Sequence, residues 1–316
     1  MNGRIIWLDN LRGALILLVV LGHSLLFTSS IADKEILYRY ISSIWMPLFM
    51  FTSGYASGKT AAKYPVIFKR FKQLIVPYVG WSLILGMIQG HNILYYAYHP
   101  TESFWFIWAL FFIVVLHMLC QKVANVLKFN REIIVFIVWI LLNVFLSRLP
   151  NTSIFATNLI VLHFLYYSLG FRIRSLNVGG AKIEVLLVLF MLYFFITYYN
   201  KGNYVPSFFP IKRHILYDIM DAALGIYVMI SFFAKFVNKP VCLLTKIGAK
   251  YSLEFYIIHL LVFKIVFSLG FSLKYPFCYN IGYYFYTCLV FVVEMIITAI
   301  LVWLWCRLTK TFHLDQ

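Results

Sequence analysis

LDNLRGALILLVVLGHS, residues Leu8–Ser24, decides the fold class. It is an apolar run with an arginine at its leading edge and a histidine deep among leucines and valines. Ten residues separate Arg12 from His23. Eleven steps at ~3.6 residues per turn bring both side chains to one helical face, roughly 16 Å apart. A helix of this composition belongs in a bilayer, where an ionisable group is costly and marks a site or a watered pathway.

The rest of the chain agrees. Its 316 residues are 63% hydrophobic and 12% charged, with a mean hydropathy of +0.85. A soluble domain is nearer half apolar and a quarter charged, so one water-soluble core cannot hide this much apolar surface. Aromatic residues, at 20%, suit helix packing and interfacial belts. The net charge of +16 comes from basic residues gathered in short loops between apolar runs. That distribution orients membrane proteins and argues against nucleic acid as a partner. Cys120, Cys242, Cys278, Cys288 and Cys306 lack CxxC spacing and suggest neither a disulfide framework nor a zinc site. The start resembles a signal sequence without a small-residue cleavage site, so it is expected to remain as an uncleaved first span.

About 20 residues are needed to cross ~30 Å of hydrocarbon. Ten runs qualify: 8–29, 38–57, 73–90, 104–120, 133–149, 157–171, 183–200, 215–236, 251–271 and 283–306. With both ends inside, the inner segments hold 19 of the 27 Lys and Arg residues, including Lys59, Lys63, Lys69, Arg70 and Lys72. The outer segments hold 7 (Lys34, Arg39, Arg148, Lys201, Lys212, Arg213 and Lys274), and Lys264 lies within a span. The positive-inside rule then places both termini in the cytoplasm. No internal repeat or long linker interrupts the pattern. Residues 1–316 therefore read as one all-α integral membrane domain whose chemistry must come from the helices and their ends.

Several spans carry ionisable groups. Lys264 and Glu294 come at similar depth on consecutive helices, which reads as a neutralising pair. Asp218 and Asp221 share a face near the outer end of their span and read as a hydrated helix end or a cation or proton site. His163, in HFLYY, reads as a packed histidine. Glu254 and His259, in YSLEFYIIH, are five residues apart and do not face each other directly. Lys69, Arg70 and Lys72 stand just before Pro77, either as an anchor on anionic lipid or as a polyphosphate site. His23 lies between Gly22 and Ser24, a small polar patch that admits a substrate to the ring. An imidazole titrating near 6.5 suits removal of a proton from a hydroxyl. Asp9, three residues before Arg12, is positioned to fix its guanidinium.

LDNLRGALILLVVLGHS followed by IWMPLFMFTSGYASGK resembles the opening of the integral-membrane acyltransferase family three. KRFKQLIVPY, FWFIWALFF and IGAKYSLEFYIIH continue the resemblance in the family's order, from near Leu8 to about His259. The resemblance implies an O-acetyltransferase of a bacterial cytoplasmic membrane. It would use acetyl-CoA as cosubstrate, need no metal, and act on a hydroxyl of a capsular, exopolysaccharide or lipid-linked glycan.

By the same resemblance, His23 corresponds to the essential histidine and Arg12, with Asp9 beside it, to the arginine supporting donor binding or reactive geometry. Lys69, Arg70 and Lys72 correspond to a basic motif implicated in CoA phosphate binding, with Gln73 where relatives often carry another basic residue. Trp105, Glu254 and His259 are expected on the acceptor side; Trp105 and Trp108, near the outer face, read equally as rings on which a sugar stacks or as part of the membrane belt. His23 would act as general base on the attacking hydroxyl or carry the acyl group transiently. A transporter or flippase of an anionic or lipid-linked substrate also accommodates ten spans and buried charges, although the sequence lacks the repeated halves and matched broken helices of that class.

Overall fold

The computed structural model describes residues 4–29, 35–58, 64–149, 154–174, 182–199, 214–269, 273–274 and 281–313. Among these, every regular element is helical. An apolar chain in lipid must satisfy its backbone groups within each segment, and the helix does so. In chain order they are α1 (Ile6–Thr28), α2 (Ile36–Ser57), α3 (Tyr64–Arg70), α4 (Val76–Gln89), α5 (Ile93–Tyr98), α6 (Trp105–Leu127) and α7 (Arg131–Leu146). Then follow α8 (Thr157–Ile173), α9 (Ile183–Tyr199), α10 (His214–Phe236), α11 (Cys242–Lys246), α12 (Ser252–Ser268) and α13 (Ile281–His313). The loop cations Lys34, Lys59, Lys63, Lys201, Lys212 and Arg213, and Cys278, lie outside the described residues.

Among the described residues, six stretches are long and apolar enough to cross a membrane: Ile6–Thr28, Ile67–Gln89, Trp105–Leu127, Ile154–Ile173, Tyr217–Phe236 and Ile281–Thr309. They coincide with six of the ten expected runs. The other four, 38–57, 133–149, 183–200 and 251–271, are helical as α2, α7, α9 and α12 but fall short of that standard. α7, α9 and α12 have 16, 17 and 17 residues. α2 has 22, but serines, tyrosines and Arg39 dilute it. Helix ends follow local chemistry. The side chain of Asn130 accepts hydrogen bonds from the backbone of Glu132 and Ile133 and starts α7. Gly90, at φ 74°, closes α4 in the left-handed region that glycine adopts without strain.

The chain forms two compact units. In the first, Met1–Trp45 with Val228–Gln316, α1 is the core. Leu11, Leu15, Ile16, Val19 and Val20 are wholly buried, as expected for a helix apolar on every side. α11, a π-helical turn at Ile247–Tyr251, α12 and α13 pack around it. Thr28 and Thr287 bond side chain to side chain at 2.9 Å, tying α1 to α13. The outer face of α13 is bare, with Ile281 89% and Phe285 74% exposed. Such a face suits lipid and marks a multi-pass membrane protein.

In the second unit, Met46–Tyr227, α6 packs on α7 and α8. The end of α2 meets α8 backbone to backbone: a Cβ on Gly54 would stand 1.9 Å from the carbonyl oxygen of Tyr167, and one on Gly170 2.0 Å from that of Phe51. α3 runs into α4 through a π-helical turn at Phe71–Ile75. Pro77 follows it; lacking an N–H, it cannot donate to the carbonyl of Gln73, and the helix widens where that bond is missing. Lys72 projects from this widened turn.

Candidate active site

Two glycines position the site. A Cβ on Gly13 would stand 2.2 Å from the carbonyl oxygen of Leu244, and one on Gly248 1.8 Å from that of Asp9. Only hydrogen fits at either position, so α1 crosses the α11–α12 segment with the backbones touching. Asn10 locks the crossing. Its Nδ2 donates to the carbonyls of Val237 and Lys239 at 2.7 and 2.8 Å, and its Oδ1 accepts from the Thr245 hydroxyl at 2.5 Å. Beyond the crossing, His23 is ten residues past Gly13 and His259 eleven past Gly248. At ~1.5 Å per residue both histidines sit roughly 15–16 Å along parallel helices, and so at one depth.

There the two imidazoles meet edge to face, with centroids 5.2 Å apart. Trp45 at 5.2 Å, Phe27 at 6.0 Å and Phe263 at 6.5 Å complete the ring cluster around His23. Gly22 admits Trp45, since a Cβ there would stand 2.4 Å from the indole Cζ3. Nδ1 of His23 bonds the carbonyl of Val19 at 2.9 Å, and Nδ1 of His259 that of Phe255 at 2.8 Å. A carbonyl only accepts, so each Nδ1 carries the hydrogen and each neutral ring keeps its lone pair on Nε2. His23 is half-buried. His259 is fully buried, and its Nε2 has no hydrogen-bond partner among the described residues. A buried acceptor left this way costs roughly 1–3 kcal/mol, which suits a group awaiting substrate.

The remaining expected residues are placed as follows. Arg12 is half-buried on α1. Asp9 is buried and forms an ion pair with Arg4, Nε to Oδ2 at 2.5 Å, from the turn before α1. Glu254 is half-buried on the first turn of α12, roughly 7.5 Å along the axis before His259. The carboxylate of Glu294 is buried and accepts from the hydroxyl of Thr298 on its own helix.

In the second unit, Lys69 and Lys72 are exposed, with the Lys72 ammonium 4.7 Å above the Phe68 ring. Arg70 donates to the hydroxyl of Ser57 at 3.1 Å, and Arg174 to the carbonyls of Tyr55 and Ala56 at 2.6 and 2.9 Å. The last turn of α2 thus ends under two guanidinium groups, and Arg174 joins the basic group that the sequence had confined to α3 and the turn after it. The half-buried Trp105 packs at 5.3 Å on His163, which is buried and bonded to the carbonyl of Leu159. Nε1 of Trp108 donates to the carbonyl of Phe155. Asp221 corrects the expectation of a hydrated helix end: it is wholly buried and accepts from the hydroxyl of Thr197 on α9 at 2.6 Å.

Sequence reasoning singled out His23 and His259 separately but not their meeting, nor the packing of Trp45 and Phe263 on His23. The signal lay in the matched glycine-to-histidine spacing on α1 and α12.

A family model described as an acyltransferase domain matches residues 5–303. Nodulation protein NolL of Sinorhizobium fredii (strain NBRC 101917 / NGR234) is 31% identical over 128 residues, which is 34% of this chain and 34% of that protein. The chain thus spans about a third of the length of the curated relative it matches. No solved structure matches significantly.

Proposed function

The chain belongs to acyltransferase family three, and on that footing we propose that it is an O-acetyltransferase moving acetyl from acetyl-CoA to a hydroxyl of a cell-surface or lipid-linked glycan. The acceptor is of capsule or exopolysaccharide type. The protein works in the cytoplasmic membrane of a bacterium, crossing it ten times with both termini inside.

One observation carries this reading. The Nε2 lone pair of His23 stands among aromatic rings on the same face of α1 as Arg12, with the imidazole held in one tautomer by the carbonyl of Val19. That lone pair serves either route, proton removal from a sugar hydroxyl or transient carriage of the acetyl group. In both, the C–S bond of the thioester breaks, the sulfur leaves as thiolate and ends as the CoA thiol, and the acetyl ends on the glycan oxygen. Arg12 adds a fixed positive charge for the donor, and Asp9, held by Arg4, anchors the start of the helix that bears both groups. Lys69, Arg70 and Lys72 take the CoA phosphates as charge-assisted contacts. Trp105, Glu254 and His259 serve the acceptor.

The test is acetyl transfer from radiolabelled acetyl-CoA in membranes holding the endogenous glycan. His23→Ala is expected to insert and accumulate normally yet lose about 10²-fold or more of transfer. Normal labelling of glycan by that variant would remove His23 from the reaction. A protein that binds glycan but never consumes thioester would instead be a carrier.

A further inference from the structure

The scheme above sets His259 on the acceptor side but gives its partnerless nitrogen no chemical step. That nitrogen belongs to a second imidazole of the same tautomer, in edge contact with the first at 5.2 Å, on a helix whose register with α1 is set by Gly13 and Gly248. A direct transfer needs one base, and His23 would supply it. A transfer in two steps needs two groups, because an imidazole that carries an acetyl on Nε2 has no lone pair left for a proton.

We propose that the two histidines divide the reaction, with His23 as the acetyl carrier and His259 as the base that delivers the acceptor hydroxyl to it. This rests on the reading of His23 as the transfer residue. In the first step Nε2 of His23 attacks the thioester carbonyl carbon. An N–C bond forms, the C–S bond breaks, and its electron pair leaves on sulfur as CoA thiolate. His23 is then an N-acetylimidazolium whose Nδ1–H still donates to Val19. In the second step the glycan hydroxyl oxygen attacks the acetyl carbon while Nε2 of His259 takes the hydroxyl proton. The N–C bond breaks and its pair returns to His23. His259, now an imidazolium steadied by the carbonyl of Phe255, gives its proton to solvent, which supplies the proton taken up by the departed CoA thiolate, and both rings are neutral again.

The surrounding rings fit this division. Trp45, Phe27 and Phe263 shield an acylimidazole, an activated species that water would otherwise hydrolyse.

The experiment measures CoA released and label retained by protein when membranes or the detergent-solubilised chain are mixed with radiolabelled acetyl-CoA. His259→Asn keeps an N–H for the Phe255 carbonyl but offers no base at the Nε2 position; His259→Phe keeps only the ring. Both are expected to release about one CoA per protein in a burst, hold the label on protein, and turn over with acceptor about a hundredfold more slowly than the parent. Unmodified protein freed of acceptor is expected to move label from CoA radiolabelled in its adenosine part into unlabelled acetyl-CoA, a reaction that requires the acetyl-protein and depends on no substitution. Absence of that exchange, or full turnover by His259→Asn, overturns the two-step division and leaves His23 as a lone base. Loss of the burst in His23→Ala supports the carrier role, whereas normal glycan labelling by that variant defeats the underlying reading itself.

Discussion

A methyl group added to Gly248 would stand 2.6 Å from the amide nitrogen of Gly13. No side-chain rotation relieves that contact, because both the nitrogen and the Asp9 carbonyl oxygen at 1.8 Å belong to backbone. The crossing of α1 with the α11–α12 segment is therefore the hinge on which the register of His23 against His259 depends.

Gly248→Ala is accordingly expected to cost stability at the upper end of the roughly 1–3 kcal/mol typical of overpacking. It should also lower kcat by about tenfold or more as the two imidazoles slide apart, since small misplacements at a reacting centre are expensive. Melting temperature in detergent and acetyl transfer in membranes read the two effects separately. Gly80→Ala is the control: a Cβ there meets nothing within 4 Å and should leave both unchanged.

Asn10 tests the same crossing through hydrogen bonds. Asn10→Leu keeps the branched outline but leaves the carbonyls of Val237 and Lys239 and the hydroxyl of Thr245 without their present partner. A loss of about 2 kcal/mol is expected. Asn10→Asp keeps the acceptor for Thr245 but turns a carboxylate oxygen toward both carbonyls, and it should be at least as destabilised as Asn10→Leu. Equal melting temperatures for all three proteins would contradict the clamp.

What the sequence made legible follows from range. Arg12 and His23 lie on one helix, so their shared face needs only helical periodicity. The meeting of His23 with His259 needs the crossing point of two helices far apart in sequence, and glycine content alone does not name which glycines touch. Asp9 shows the limit at short range: its ion pair with Arg4 comes from the non-helical turn before α1, where helical spacing gives no signal. Asp221 resembles a helix end because its partner, Thr197, lies on another helix. The membrane class was plain from composition, whereas the separate contributions of α2, α7, α9 and α12 to a span count were not, since polar residues or short length weaken each.

Gly170 makes the matching prediction for the second unit. Its missing side chain lets α8 touch the backbone of α2 at Phe51, as Gly54 does at Tyr167. Gly170→Val should destabilise by roughly 1–3 kcal/mol, and Gly54→Val likewise. Because both glycines serve one contact, the double variant should cost less than the sum of the two. Strict additivity of the melting shifts would show that the two positions act apart.

Lys69 and Lys72 are exposed, and their part in donor binding is separable from chemistry. If they hold CoA phosphates, Lys69→Ala with Lys72→Ala should raise the KM for acetyl-CoA by about tenfold, equivalent to ~1.4 kcal/mol, with kcat unchanged. Contacts made equally in ground and transition states have that signature. The parent's KM should climb with ionic strength as the contacts are screened, and the variant's should climb less. Acetyl-dephospho-CoA, which lacks the 3′-phosphate, should narrow the gap between the two proteins. A fall in kcat at unchanged KM would place the lysines elsewhere in the reaction. An unaltered KM at every salt concentration would return them to the role of membrane anchors on anionic lipid.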